Sequence, residues 1–562
     1  MSEYNIEQLL KKINELETEL KTSKKYGLVW DKENTKEDVV IKCEKNIPIL
    51  EQDKSKKIIF GDDNNIIIEG DNYHALTSLN FIAKESVDIV YIDPPYNTGH
   101  EDFIYNDNYV DSEDGYRHSK WLSFMQKRLA LSKELLKEKS LLFISIDDRE
   151  YAQLKLLCDS IFGERNFVAN LKWKKKKQPS FLSNVAGILE YVLVYSKNAG
   201  LIKKLSIEQL QDSDKPVINA GNPESERIIR KGCRAKCTQT FIKAGLYQNK
   251  SMTIEYVDDV YIENGITKND FRCISRFRTT QEYIDQYCEE NLIFITANLG
   301  LRRDLSSNEK GGAKSITDLL LDWDQNQDGT TTLKEIFNLT TNCPFSNPKP
   351  VKLIYNCIKS SMFNNPVVLD FFAGSGTTGQ AVLELNKEDG GHRRFILCTN
   401  NENNICTEVT YPRLKTVITG IRPDGTKYSD GLPANLYYFK TDFIEDQANT
   451  EQARYNLVEK VDSLLCIAED VMEEVERNDY SSHFINGDKH LFIYNDYYNE
   501  TKFDEFKQRV LSATGQKIVY VYASDNNIDE TLMEGNDIEL KPIPSKIYEI
   551  YKEIVEDIKR GE

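Results

Sequence analysis

Apolar residues in this chain alternate between two spacings. Short β-branched runs predict buried strands at Ile66-Ile67-Ile68, Val87-Asp88-Ile89-Val90-Tyr91-Ile92, 141–146, 190–197 and Val367-Val368-Leu369. Between them, apolar positions three and four residues apart predict helices over 75–81, 121–136 and 149–162. Strands and helices in that alternation imply an α/β fold of Rossmann-like, doubly wound type, with a mostly parallel sheet covered on both faces. Ile6, Leu9, Ile13, Leu16 and Leu20 predict a separate helix within 1–26, too short for a coiled coil. The alternation fails over 201–330, where basic, aromatic and small residues mix. It returns on a smaller scale over 441–562, with helices expected over 455–475, 504–511 and 545–558 and strands at 491–494 and 518–522.

Two of the strands end in unusual loops. The run ending at Ile92 meets Asp93-Pro94-Pro95-Tyr96. Two prolines fix φ and remove two backbone donors, so this loop offers carbonyl acceptors, one carboxylate and the flat face of Tyr96. A planar base bearing an amino group suits that set; the plainer reading is a capped strand end with a buried tyrosine. The strand at 367–369 runs through Asp370-Phe371-Phe372 into Ala373-Gly374-Ser375-Gly376-Thr377-Thr378-Gly379, which opens a helix near Gln380. Glycines let a ligand approach the backbone, while amides at the helix start and the threonine hydroxyls supply donors. Gly374, Gly376 and Gly379 also satisfy the dinucleotide fingerprint, with Glu402 lying 23 residues after Gly379, where a ribose-binding acid belongs. An NAD-dependent dehydrogenase therefore stays open. A phosphate-binding P-loop does not, because Gln380 and Ala381 stand where lysine and a hydroxyl residue are needed.

Taken together, the two loops resemble those of the β-class amino-group DNA methyltransferases. Glu69-Gly70-Asp71-Asn72, Asn97-Thr98-Gly99, Asn347-Pro348-Lys349-Pro350 and Thr399-Asn400-Asn401-Glu402 fit that pattern. The runs from Glu408 to Leu414 and from Leu432 to Leu436 further resemble the Mod (modification) subunit of type III restriction-modification systems. This resemblance implies a permuted S-adenosylmethionine-dependent methyltransferase fold. Its halves would be 27–200 and 331–440, with a target recognition insert at 201–330 and a small α/β C-terminal domain at 441–562. It implies methyl transfer from S-adenosyl-L-methionine to N6 of adenine in double-stranded DNA. A homodimer and an ATP-dependent restriction (Res) subunit are the implied protein partners. A stand-alone enzyme acting on adenine or on N4 of cytosine is the alternative. By the same resemblance Asp93, Pro94, Pro95 and Tyr96 are catalytic. Asp71 would meet the donor's adenine end, Glu402 its ribose hydroxyls and Lys349 its carboxylate, with Asp370, Phe371 and the loop from Ala373 through Gly374, Ser375, Gly376 and Thr377 to Thr378 around it.

Charge adds a further constraint. The net charge of −18 opposes a polyanionic ligand, but −15 of it lies between Asp442 and Glu562. That acidic tail reads as a protein-docking unit. Basic residues cluster elsewhere, in Lys172, Lys174, Lys175, Lys176 and Lys177 around Trp173, and in Arg227, Arg230, Lys231, Arg234 and Lys236 within an acid-free stretch. These are the expected DNA contacts. At 562 residues the chain exceeds the ~250–300 at which one core stops growing, so two or three domains are expected. Eleven cysteines without a CxxC pair imply free thiols, and Cys233 with Cys237 lacks two further ligands, so no metal is expected. Asp324, Asn326, Asp328, Gly329 and Glu335 satisfy the calcium-loop expression, read here as coincidence because there is one copy. No run reaches the ~20 apolar residues of a membrane span and the start is charged from Glu3, so a cytoplasmic protein with no membrane partner is expected.

Overall fold

The structure is a computed structural model that describes residues 28, 30, 37–43, 46–99, 103–106, 108–178, 184–209, 214–249, 252–310, 312–445, 460–496, 500–522, 533, 535 and 537–543. Two compact units make up the chain: Lys204–Ile316, and Met1–Lys203 with Thr317–Glu562. The expected helices at 1–26 and 545–558 lie outside the described residues.

A ten-stranded sheet forms the larger unit. Its strands are β1 (Asn46–Gln52), β2 (Asn64–Glu69), β3 (Val87–Ile92), β4 (Leu136–Ile146), β5 (Phe167–Lys174), β6 (Leu189–Tyr195), β7 (Leu319–Leu320), β8 (Val367–Asp370), β9 (Arg394–Thr399) and β10 (Asn435–Glu445). They lie in the order β1-β10-β2-β9-β8-β3-β4-β6-β5-β7. From β10 to β4 every pairing is parallel. β1 runs antiparallel to β10, and β6 runs antiparallel to both β4 and β5. The sheet is therefore mostly, not wholly, parallel. β1 carries Pro48, which an edge strand tolerates because it owes the ladder fewer donors.

Burial follows from the helices around this sheet, α1 (Asn72–Asn80), α2 (Arg117–Leu135), α3 (Tyr151–Phe162), α4 (Asn326–Ile336), α5 (Val351–Ser360), α6 (Thr377–Asp389) and α7 (Tyr411–Thr419). Helix α2 packs against α1 and α3; α6 packs against α5 and α7. Successive residues of the central strands, such as Val90 with Tyr91 and Leu142 with Phe143, are all buried, as a sheet covered on both faces requires. The calcium-loop match is a helix from Asn326 onward, with the Gln325 amide donating to Asp328 Oδ2 at 2.8 Å. A capping box uses the acid that the expression assigned to a cation.

The smaller unit ends at Ile316, short of residue 330, because Leu319–Leu320 pairs with Lys172 and Trp173 in the main sheet. It holds seven- and four-stranded sheets around a core that includes Ile229, Tyr256, Phe271 and Ile284. In the tail, strands Glu473–Arg477, Ser481–Asn486, Lys489–Tyr494, Gln516–Tyr522 and Ile538–Ile543 form one sheet in chain order, with a helix over Glu500–Ser512. The helix expected over 455–475 spans only Asp462–Glu469 among the described residues. Asp470 has φ +56°, a left-handed turn that ends it, and Glu473 already begins a strand. Among the described residues no helix is long and apolar enough to cross a membrane.

Leu142 is fully buried at the centre of the sheet. Leu142→Ala should lower unfolding free energy by about 2–5 kcal/mol, read as a fall in the denaturant midpoint at unchanged slope.

Candidate active site

Parallel pairing of β3 and β8, with Ile89 opposite Val368 and Val90 opposite Leu369, sets the two singular loops side by side at their strands' carboxyl ends. The first loop is braced from behind. Trp121 Nε1 on α2 donates to the Pro95 carbonyl at 2.7 Å, and Asn97, buried with φ +55°, donates to Glu150 Oε1 at 2.6 Å. The Asp93 side chain keeps 28 % of its surface exposed, enough to meet a ligand. Its Oδ1 accepts the Tyr96 hydroxyl at 2.9 Å and the Lys349 ammonium at 3.2 Å. That ammonium also donates to Tyr96 Oη at 2.8 Å and to Glu190 Oε2 at 3.2 Å. On the far side, Lys175 donates to Glu190 Oε1 at 2.8 Å.

Four charged groups thus share one buried pocket of side chains. Burial raises the Asp93 carboxyl, with Lys349 opposing the shift and Glu190 adding to it. Burial would likewise raise Glu190, but Lys349 and Lys175 outweigh it and hold that carboxyl below its usual range. Burial lowers the affinity of Lys349 for its proton, and Asp93 and Glu190 outweigh that, holding it above the ordinary value. Lys349, expected at the donor's carboxylate, stands here between Asp93 and Glu190. Glu190 had no sequence signal beyond opening a strand.

The second loop takes the conformation that its glycines permit. Gly374 has φ +48° and Gly376 φ +80°, and α6 begins at Thr377. Asp370 closes β8 by accepting the Phe372 amide at 2.9 Å and the Thr378 hydroxyl at 2.5 Å. Beneath the loop, Arg413 of α7 is fully buried, and its guanidinium donates to Ser375 Oγ at 2.9 Å, Thr377 Oγ1 at 2.8 Å and Gln380 Oε1 at 3.0 Å. Burial pushes its pKa down to about 10, so it stays charged near neutrality. Ala373 and Phe371 are buried behind the loop.

Two further acids stand in the same row of strand ends. Asp71 follows β2 and caps α1, accepting the Tyr73 amide at 2.7 Å, while the next residue, Asn72, donates to the Phe371 carbonyl at 3.0 Å. Glu402 opens the turn after β9 and accepts the Tyr109 hydroxyl at 3.4 Å. Since β2, β9, β8 and β3 are consecutive neighbours, Asp71, Glu402, the glycine loop and Asp93 line one edge.

The basic residues are less available than their acid-free surroundings in sequence suggested. Lys172 pairs with Asp318 at 2.6 Å, and Lys175 is committed to Glu190. Within the smaller unit, Arg230 pairs with Asp285 and Asp270, Arg234 pairs with Asp304, Arg227 donates to the Thr279 carbonyl and Lys236 lies 3.5 Å from the centre of the Phe294 ring. Folding brings in acids from 40 to 70 residues away. Lys176, Lys177, Arg230, Lys231 and Lys236 remain exposed, and Lys174 is half-buried.

Residues 87–410 match the N6/N4 DNA methylase family. The chain belongs to that family. This membership removes the dehydrogenase reading and accounts for both loops in one segment. Among relatives, the chain is 31 % identical over 442 residues to the StyLTI Mod subunit, a type III restriction-modification enzyme of Salmonella typhimurium, across 71 % of this chain and 64 % of that one. It is 31 % identical to the EcoP15I Mod subunit of Escherichia coli, across 59 % and 58 %. It is 30 % identical to the type II methyltransferase M.KpnI of Klebsiella pneumoniae, across 67 % and 90 %. The chain thus spans about three-fifths of the length of the two Mod subunits. The solved PvuII DNA methyltransferase (cytosine-N4-specific) aligns at 13 % identity over 61 % of this chain and 86 % of its own, with a TM-score of 0.30, too low to carry an argument.

Two outcomes test the methylase's glycine loop. A Cβ at Gly376 would sit 3.1 Å from Thr410 Cγ2 on a backbone at φ +80°. Gly376→Val should therefore weaken S-adenosylmethionine binding by about tenfold or more in calorimetry, and normal affinity would remove Gly374 to Gly379 from the site. Burial lifts the Asp370 carboxyl from 3.8 to about 7. The folded state therefore holds that proton more tightly than the unfolded chain, and its stabilising contribution, complete below 3.8, is lost as pH rises to about 7. Asp370→Asn should flatten the fall in stability across that window by about 1.4 kcal/mol per pH unit, measured by denaturation at stepped pH.

Proposed function

We propose that this methylase transfers the methyl group of S-adenosyl-L-methionine to N6 of adenine in double-stranded DNA, as the modification and recognition subunit of a type III restriction-modification system. The observation that carries this reading is the adjacency of the Asp93 loop and the glycine loop on paired parallel strands. The donor set fits the cofactor: carboxylates of Asp71 and Glu402 suit amino and hydroxyl groups, and the amides opening α6 suit a carboxylate, a role that Lys349 is not free to fill. When bound, the cofactor supplies an electrophilic methyl group on a sulfonium.

The chain's own residues act on the amino group. An exocyclic nitrogen is a weak nucleophile because its lone pair is delocalised into the ring. Asp93 and the Pro94 carbonyl accept its two N–H bonds and favour a pyramidal nitrogen. Asp93, whose affinity for protons is raised by burial, then takes the proton that the alkylated nitrogen sheds. Tyr96 stacks on the extruded base, offsetting part of an unstacking cost of roughly a few kcal/mol. Its hydroxyl now occupies Asp93, so the incoming amino group replaces a bond already formed. Most of the acceleration is positioning and fixed electrostatics.

Adenine is favoured because Asp precedes the prolines, as in the adenine enzymes that the loop resembles. Similarity to two type III Mod subunits supports a restriction (Res) subunit and DNA as partners; a homodimer, and the insert as the part that reads the DNA sequence, belong to the same proposal. A stand-alone enzyme is the second reading, favoured by the match that covers 90 % of M.KpnI, a type II methyltransferase. Lys176 and Lys177 are the exposed lysines proposed to meet phosphates, joined by Lys231 of the insert.

Incubation with tritiated S-adenosylmethionine and DNA lacking adenine methylation should place label in N6-methyladenine. Label in N4-methylcytosine instead would correct the base. Asp93→Ala should cut transfer by roughly a thousandfold while the cofactor still binds; lost cofactor binding would reverse the roles of the two loops.

A further inference from the structure

Of the charged groups around Asp93, the proposed chemistry uses only Asp93 itself, yet three others are buried with it. Glu190 is 5 % exposed and Lys349 is 8 % exposed. Lys175, with 18 % of its side chain exposed, closes the chain of contacts at the rim. Two carboxylates and two ammonium groups balance. Removing one from such a cluster leaves an uncompensated buried charge, and replacing all of them with apolar side chains is often neutral or stabilising. Stability alone therefore gives this quartet no reason to exist. Its place does: Lys349 touches the oxygen that Asp93 offers to a ligand, Glu190 accepts from the Tyr96 hydroxyl at 3.3 Å, and Lys175 holds Glu190 from the rim.

Glu190 stands at the start of β6, opposite Trp173 of β5. One of its oxygens takes Lys175 at 2.8 Å and the other takes Lys349 at 3.2 Å. Lys349 then spends its remaining hydrogens on Asp93 at 3.2 Å and Tyr96 at 2.8 Å. Its ammonium also lies 4.9 Å from the centre of the Tyr96 ring and 5.8 Å from that of Trp173. The cation is thus fixed from four sides. We propose that Glu190, backed by Lys175, is a positioning residue for the methyl transfer: it holds the Lys349 ammonium against Asp93, and that ammonium keeps the Asp93 carboxylate aimed as the acceptor for the amino group. This rests on the reading of Asp93 given under the proposed function and extends it to two residues outside both loops.

The sign of the electrostatics gives the test. The groups facing Asp93 are Lys349, Glu190, Tyr96 and Tyr91, with Asp370 on the neighbouring strand. Lys349 alone among them is a cation. Without it, Asp93 and Glu190 would face each other as bare carboxylates in a partly desolvated site and retain a proton at higher pH. Lys349→Met should move the acid limb of the transfer rate to higher pH by about one pH unit or more. Adding Glu190→Gln removes the competing carboxylate, and the double variant's limb should return toward that of the unsubstituted chain. Lys175→Met, at the rim, should move it in the same direction as Lys349→Met and less far.

Infrared difference spectroscopy on the full chain reads the same charge balance without depending on activity. At neutral pH, Lys349→Met should gain a protonated carboxyl band that Asp93→Asn then removes. A limb that stays in place in Lys349→Met, or a spectrum without that band, overturns the proposal. If the unsubstituted chain labels no base, the methyl-transfer reading falls, and the band still decides whether Lys349 governs Asp93. A Glu190→Gln chain with an unchanged rate at every pH would overturn the positioning role of Glu190.

Discussion

Everything functional in this molecule depends on one parallel strand pairing. β3 and β8 meet through Ile89 with Val368 and Val90 with Leu369, which sets the Asp93 loop beside the glycine loop. The two loops lie 277 residues apart from Asp93 to Asp370, so the pairing alone converts two isolated features into a site. Register is the constraint. A slip of one residue would turn each side chain of β8 to the opposite face. Burial on both faces of both strands opposes such a slip, since Val90, Tyr91, Val368 and Leu369 are all nearly inaccessible.

Around that pairing the molecule buries three cations by three different means. Lys349 lies between two carboxylates. Arg128 pairs with Glu37, donates to Asn72 and stacks 3.7 Å from the Phe124 ring centre. Among the described residues Arg413 has no carboxylate within bonding distance and is held by hydroxyl, amide and carbonyl oxygens. Each cation braces a loop at the carboxyl end of the sheet: Arg128 the turn after β2, Arg413 the glycine loop and Lys349 the Asp93 loop. The interior is apolar where the sheet needs cohesion and ionic where loops must be held in one shape.

The central strands and both loops were legible because their signals are local. A β-branched run, two prolines and a glycine-rich turn each act through the backbone of neighbouring residues. Partners chosen across the fold were not legible. Glu190 and Lys349 are 159 residues apart, and nothing at either position marks the other. The same holds for the basic stretch of the insert, where Arg234 finds Asp304 70 residues away. Helix ends failed for a related reason. The apolar spacing continues past Glu469, but the left-handed turn at Asp470 is held by the side chains of Asn64 and Asn486 from two other strands. Lys349 was read from family position alone, which carries no record of the bonds that Asp93 and Glu190 hold with it.

The smaller unit also closes upon itself before it rejoins the rest of the chain. Glu208 and Gln209 pair antiparallel with Lys314 and Ala313, and the Ile316 amide donates to the Leu205 carbonyl at 3.0 Å. Its two ends are thus tied to each other. A segment built in this way behaves as a cassette. Because its ends meet in one antiparallel pairing, a change of length inside it leaves the register of the ten-stranded sheet as it was.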